Sequence, residues 1–191
     1  RPYGAIGAFT GIVEFGEHVL SLCTDSVGTK ILVAAAMDRW DTIGIDCIAM
    51  NANDMITAGC EPLAFVDYLA IGNYDANVAR QIGVGLDRGA EMANVTIIGG
   101  EVAVVPEIVN GYDLAGTCLG FARKTDVIDG KKVRVGDVVI GVASTGIHSN
   151  GLTLARRVFR DAGLSVRDPL PGGPGTVGDA LLEPPAIYVR P

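Results

Sequence analysis

DTIGIDCIAMNANDMITAG, residues 41–59, sets Asp46, Asn53 and Asp54 among isoleucine, methionine and alanine. Asp41 is positioned to cap the start of a helix and Gly59 its end, with Pro62 preventing continuation. On such a helix Asp46 and Asn53, seven residues apart, fall on nearly one stripe, while Asp54 lies about 80° round. Carboxylates among apolar neighbours are costly to desolvate unless a cation neutralises them. A face that simply meets water is the competing reading, and spacing alone does not choose between the two.

Working outward, the apolar run Val19–Cys23 makes 18–24 a strand that ends in TDSVGTK, residues 24–30, with Asp25 and Lys30 on either side of a small turn. PLAFVDYLAI, 62–71, reads as a strand. Residues 77–92 read as a helix, because Val78, Ile82, Leu86 and Ala90 recur every four positions. VTIIGG, 95–100, is expected as a short buried strand running into Gly99, Gly100 and Glu101, and YDLAGTCLGFA, 112–122, as another strand. Four strands and two helices emerge. Asp25 and Glu101, at strand ends approached by the acid-bearing helix, are placed to converge on a hard divalent cation such as Mg²⁺. Lys30 would then face the phosphates carried by that metal. Gly-Gly-Glu by itself is equally an ordinary turn. GTK is no Walker A motif, since no glycine stands five residues before Gly28.

After Phe121 the chain turns charged and turn-rich, RKTDVIDGKKVRVGD, which puts a boundary near 124–134 and divides the protein into 1–124 and 134–191. DVVIGVAS, 137–144, is expected as a strand, STGIHSNG, 144–151, as a loop, and LTLARRVFRDAG as a helix ending at Gly163. DPLPGGPGTVGD, 168–179, is flexible by composition. One strand with one or two helices cannot enclose a core. Together with the start at Arg1 and the stop at Pro191, this leads to the expectation of a piece of a longer chain. In STGIHSNG the small residues let backbone N–H groups face an anion at a helix start. His148, beside Ser149 and Asn150, suits proton transfer or a phosphate contact; a capping loop whose histidine bonds backbone is the alternative. His18 suggests no role.

Composition excludes several classes. With 49% hydrophobic residues in 191 the chain can bury one good core, or one core plus part of a second. Fifteen basic residues against 22 acidic, net charge −7, without a basic block, argue against a nucleic-acid partner. No apolar run approaches the roughly 18 residues of a membrane span, and RPYGAIGAF lacks the charged-then-apolar pattern of a leader. Four cysteines with no C-x-x-C pair suit a reducing cytoplasm.

TDSVGTK, the 41–70 segment, IIGGE, YDLAGTCLGF and GDVVIGVASTGIHSNGLTL stand in the order and spacing of one family. The chain resembles the phosphoribosylformylglycinamidine cyclo-ligases, or aminoimidazole ribonucleotide synthetases, of purine biosynthesis. The resemblance implies an N-terminal domain whose four-stranded sheet, flanked by helices, pairs with a partner's into a barrel across a homodimer. The start of a second α+β domain follows. It implies ATP and Mg²⁺ activating the formyl amide oxygen of formylglycinamidine ribonucleotide, and attack by the amidine nitrogen that closes the imidazole ring. Position by position, Asp25, Asp46, Asp54 and Glu101 match the metal set, and Asp25, Gly28, Thr29, Lys30, Asn53, Gly99 and Gly100 the nucleotide contacts. Gly146, His148, Ser149 and Asn150 match the substrate or phosphate loop, with Asp54 and His148 implied as catalytic. Ser26 stands where the family has glycine, and VAVVPE, 102–107, where it has T-A-E-M-P-G. Relatives sharing the ATP-binding half are formylglycinamidine ribonucleotide synthetase, selenophosphate synthetase, hydrogenase-maturation dehydratases and thiamine-monophosphate kinase. Cys23 inside its strand argues against selenophosphate synthetase, and the missing G-D-D-A-type segment against the kinase. A non-catalytic dimerisation module would have little reason to keep so many acids in apolar segments.

Overall fold

Period-two patterning of the apolar residues produces the long strands of the computed structural model, which describes residues 1–3 and 10–190. The order is β1 (Gly11–Phe15), β2 (His18–Ser26), α1 (Lys30–Met37), α2 (Ile43–Ile56), β3 (Glu61–Ile71), α3 (Ala76–Ala93), β4 (Thr96–Val104), β5 (Tyr112–Arg123), α4 (Leu152–Asp161) and α5 (Val177–Leu182). The strands form one mixed sheet in the order β1-β2-β5-β3-β4. Only β3 and β4, joined through α3, run parallel. The described residues are thus α+β, and their sheet has five strands where the sequence of the first unit led to four. The fifth, β1, is too short and too close to β2 to show a period of its own; it is the outer arm of a hairpin closed at Glu17.

Along β2, Val19 and Ser21 are fully buried while Leu22 is exposed, so alternate residues face the helices. Helix α2 lies across β2, β5 and β3, and α3 packs on α2. The two helices approach closely because Gly44 of α2 sits on the backbone of Gly85 and Leu86, where a Cβ would overlap Leu86 N. The α3 start is fixed by Asp75, whose carboxylate accepts from the N–H groups of Asn77 (2.8 Å) and Val78 (3.1 Å). At α2 the expected Asp41 cap is absent. Thr42 occupies the cap position without a side-chain bond, and Gly59, with φ +76°, follows the helix end rather than making it.

Three further expectations change. Residues 137–144 form no strand: no described segment pairs with them, and Val138, Val139 and Ile140 stand 82–95% exposed. A strand needs a ladder partner, and local β propensity does not supply one. Strand β4 is neither short nor buried, because it is the sheet edge, paired only to β3. The Gly/Pro-rich 168–179 segment is tied into a closed turn by Leu170 N–H to Gly175 O and Val177 N–H to Asp168 O. It leads into α5, whose start carries a Thr176–Asp179 capping box. Helices α4 and α5 have no core of their own. Leu152, Val177, Leu181 and Leu182 join the same apolar cluster as Ile31, Val33 and Ile48. No described helix is long and apolar enough to cross a membrane.

The helix contact yields a paired prediction. Gly44→Ala lowers stability by about 3 kcal/mol, since the facing group is backbone that cannot step aside. Gly83→Ala, on the open face of α3, raises it by roughly 0.5–1 kcal/mol. Urea midpoints of the two variants check both signs.

Candidate functional site

The α2 stripe does face a cation, but the cation belongs to the protein. Lys30, the first residue of α1, is fully buried, and its Nζ lies 2.7 Å from Asp46 Oδ1, itself fully buried. A second donor of the same ammonium goes to the Glu183 carbonyl at 2.6 Å. Burial pushes the Asp46 carboxyl up to about 7 against the opposing pull of Lys30, and burial lowers Lys30 against the pull of Asp46. The Ser149 hydroxyl lies beside Asp46, outside strict hydrogen-bond geometry. Lys30 therefore does not reach a phosphate here, and Asp46 is not free to bind a metal: enclosed side chains pair with each other instead of with a ligand. Asn53, on the same stripe, is also spent on the protein. Its Nδ2 donates to Ala186 O (2.9 Å) and its Oδ1 accepts from Tyr188 N–H (2.8 Å).

The remaining acids divide between the two faces of the sheet. Asp25 of β2 pairs with Gly116 of β5, Gly116 with Asp67 of β3, and Asp67 with Gly100 of β4. Cross-strand partners share a face, so these four residues form one row, and the two carboxylates stand two strands apart, roughly 10 Å. The row faces the helices. A Cβ on Gly116 would overlap the Phe65 ring and meet Asn51 Nδ2, and one on Gly100 would overlap the Asp67 carboxylate. Asn51, buried above the row, donates to Cys47 O (2.9 Å), while its Oδ1 has no partner. Burial raises the Asp67 carboxyl. Asp54, on the neighbouring stripe of α2, accepts from Cys23 Sγ at 3.2 Å, and its own carboxyl is raised by burial. Burial and Asp54 together push the Cys23 thiol up to about 12, so it stays protonated at neutral pH.

Glu101 does not join this group. It pairs with Tyr68, one residue past the row, and alternation sends it to the opposite, exposed face. Among the described residues no three His, Cys, Asp or Glu side chains are grouped to hold a metal, so the expected set of Asp25, Asp46, Asp54 and Glu101 is not assembled. Asp67 belongs to the row and was missed by the sequence reading. Its signal was parity: Phe65, Asp67 and Leu69 occupy alternate positions of one strand, which puts the acid on the buried face. Ser26 takes extended backbone, its N–H donating to Asp25 Oδ1 (2.7 Å), while the left-handed step falls at Gly28, φ +65°. Gly28 and Thr29 form the exposed turn into α1, and Thr29 Oγ1 lies 3.1 Å from Thr153 Oγ1. Gly99 and Gly100 are exposed on the edge strand.

The 144–151 loop is brought to α2 by the segment 183–188. Thr145 Oγ1 donates to Pro184 O (2.8 Å), and Gly146, φ +53°, sits close against Glu183. His148 adopts φ +65°, with Nε2 3.5 Å from the Tyr188 hydroxyl. Ser149 is buried and Asn150 exposed. Asp25, Asp54 and Asp67 thus lie between sheet and α2, and His148 beside the neighbouring stripe of the same helix. Acids that act on a bound anion's counter-ion and a histidine that acts on the anion itself can be served by one helix in this way.

Comparison with known proteins gives this arrangement a family. Residues 8–122 match the AIR synthase related protein, N-terminal domain, and residues 134–191 the corresponding C-terminal domain. The phosphoribosylformylglycinamidine cyclo-ligase of Methanosarcina mazei is 52% identical over 190 residues, 99% of this chain and 57% of that protein. The cyclo-ligase of Thermoplasma acidophilum is 46% identical, over 100% of this chain and 56% of that protein. The chain spans about half the length of the curated relatives it matches. In fold it is similar to thiamine-monophosphate kinase from Stenotrophomonas maltophilia, with TM-score 0.57 at 17% identity over 88% of this chain and 51% of that one. It is also similar to T. maritima PurL complexed with ATP, with TM-score 0.51 at 16% identity over 62% of this chain and 20% of that one. The chain belongs to the AIR synthase related protein family, alongside the phosphoribosylformylglycinamidine cyclo-ligases.

Proposed function

We propose that the protein carrying this chain is a cytoplasmic ligase of purine biosynthesis. In this reading it uses ATP to convert formylglycinamidine ribonucleotide into aminoimidazole ribonucleotide. The observation that carries the reading is the 46–53% identity to named cyclo-ligases over at least 97% of the chain in relatives such as those of Methanosarcina, Thermoplasma and Methanothermobacter. Residues 1–124 form the nucleotide-binding and dimerisation part and 134–191 belong to a second domain.

ATP phosphorylates the formyl amide oxygen; the amidine nitrogen of the same molecule attacks that carbon, and phosphate leaves as the ring closes. Because nucleophile and electrophile share one molecule, the protein chiefly holds a productive conformer and stabilises transferring charge. The four-carboxylate metal set does not fit this chain. Asp25 and Asp67, roughly 10 Å apart, would not share one Mg²⁺; either carboxylate by itself fits an ion that arrives with phosphates, since that ion keeps several waters and takes only one or two protein carboxylates. Magnesium bound there would neutralise phosphate charge. Asp54 flanks this pair from α2. Gly28, Thr29, Gly99 and Gly100 let phosphate or base approach the backbone. His148, with Gly146, Ser149 and Asn150, faces the substrate or the transferred phosphoryl group, where the imidazole exchanges a proton with it.

The outer face of the sheet exposes Phe15, Leu22, Val66 and Tyr68, an apolar surface suited to a second copy of the same sheet. A homodimer closing a barrel there is part of the proposal, with no nucleic-acid or membrane partner.

Four outcomes test it. Full-length protein given formylglycinamidine ribonucleotide, ATP and Mg²⁺ yields a product lighter by one water, with ADP, by mass spectrometry; ATP hydrolysis without that product overturns the choice of substrate. Asp67→Asn weakens Mg–ATP binding by roughly tenfold or more in titration calorimetry, and His148→Ala lowers kcat by roughly a hundredfold or more. Sedimentation gives a dimer that Leu22→Arg converts to monomer.

A further inference from the structure

We propose that Lys30 and Asp46 are positioning residues, whose ion pair holds the His148 loop in its working place through the 183–188 segment. The proposal rests on the preceding reading only for what His148 does there, not for how it is held.

His148 needs holding. It is a non-glycine residue at φ +65°, a backbone state that persists only when its surroundings enforce it. Those surroundings are short loop and extended chain: among the described residues 143–149 and 183–190 belong to no helix or strand. What fixes them is a run of polar contacts that begins at Lys30. Its ammonium spans the gap between Asp46 Oδ1 (2.7 Å) and the Glu183 carbonyl (2.6 Å), so the charge on α2 anchors the backbone of a segment more than a hundred residues away. From Glu183 the segment runs through Pro184, whose carbonyl accepts from Thr145 Oγ1, then Ala186 and Tyr188, both clamped to Asn53. It ends at the Tyr188 hydroxyl, beside His148 Nε2. On the other side of the loop Ser149 is buried near Asp46, its hydroxyl without a hydrogen bond to the carboxylate. Gly146 packs on Glu183 itself. The loop is thus held by a segment whose first anchor is one buried pair. A pair serving only to join α1 to α2 would have no use for the Glu183 carbonyl.

Two substitutions separate positioning from stability. Lys30→Met leaves Asp46 buried and unpaired, which destabilises the fold as a whole. Lys30→Met/Asp46→Leu replaces the pair with apolar volume and restores global stability, yet leaves the Glu183 carbonyl without its partner. Imidazole NMR, with the two signals assigned by single histidine substitutions, reads His148 against His18, at the start of β2, as internal reference. In the double variant the His148 ring signals move, and amides of 147–150 and 183–188 exchange roughly tenfold faster, while His18 and α3 are unchanged. His148 signals and protection that match the wild type in this variant overturn the proposal. Should the variants not fold, native-state exchange of the wild type decides: opening of 147–150 together with 183–188 as one unit supports the proposal, and independent opening overturns it. Adding Mg–ATP to the wild type tests the functional reading separately, since an unresponsive His148 counts against that reading without touching the exchange result.

Discussion

The buried contact between Lys30 and Asp46 is the constraint on which the rest of the arrangement depends. Both side chains are fully enclosed, and neither charge would be tolerable alone in that position. Their pairing dictates that α1 begins where α2's acidic stripe passes, and the spare donor of Lys30 draws in the Glu183 carbonyl. From that point Asn53 and Thr145 tie down the remaining backbone. Helices α4 and α5 lack an apolar core of their own and settle on the same cluster as α1 and α2.

A second constraint governs the sheet. Gly116 and Gly100 alternate with Asp25 and Asp67 across four strands, and each glycine leaves the space its neighbour occupies. Phe65 and Asn51 enter over Gly116, and the Asp67 carboxylate lies over Gly100. A larger residue at Gly100 would displace the Asp67 carboxylate, and one at Gly116 the Phe65 ring and Asn51. The opposite face of the sheet carries apolar side chains such as Leu22 and Tyr68 in the open. One sheet therefore presents acids under α2 and an apolar surface outside.

Much of this was legible in the chain. The periods of 77–92 and 112–122 gave α3 and β5 within a residue at most boundaries, and the seven-residue spacing of Asp46 and Asn53 correctly put them on one stripe. The demand that a cation neutralise that stripe was also met. For Asp46 that cation is a lysine sixteen residues upstream, which carries no local mark of being the partner. Glu101 was misplaced for a related reason: adjacency to Gly-Gly suggested a site, whereas strand parity sends it to the other face. The same parity, applied to Phe65, Asp67 and Leu69, would have found the acid that does lie in the row.

What the sequence determined by itself was periodic: which residues form helix or strand, which side of each is apolar, and to which family the ordered motifs belong. Tertiary structure decided everything that depends on a partner distant in the chain. Residues 137–144 have strand composition but no ladder to join, and 168–179 have loop composition yet are closed by backbone bonds. Lys30 has the position of a phosphate ligand and the surroundings of a buried ion pair. The reason is the same in each case: propensity and period act within a few residues, whereas burial, pairing and charge compensation are set by groups that only folding brings together.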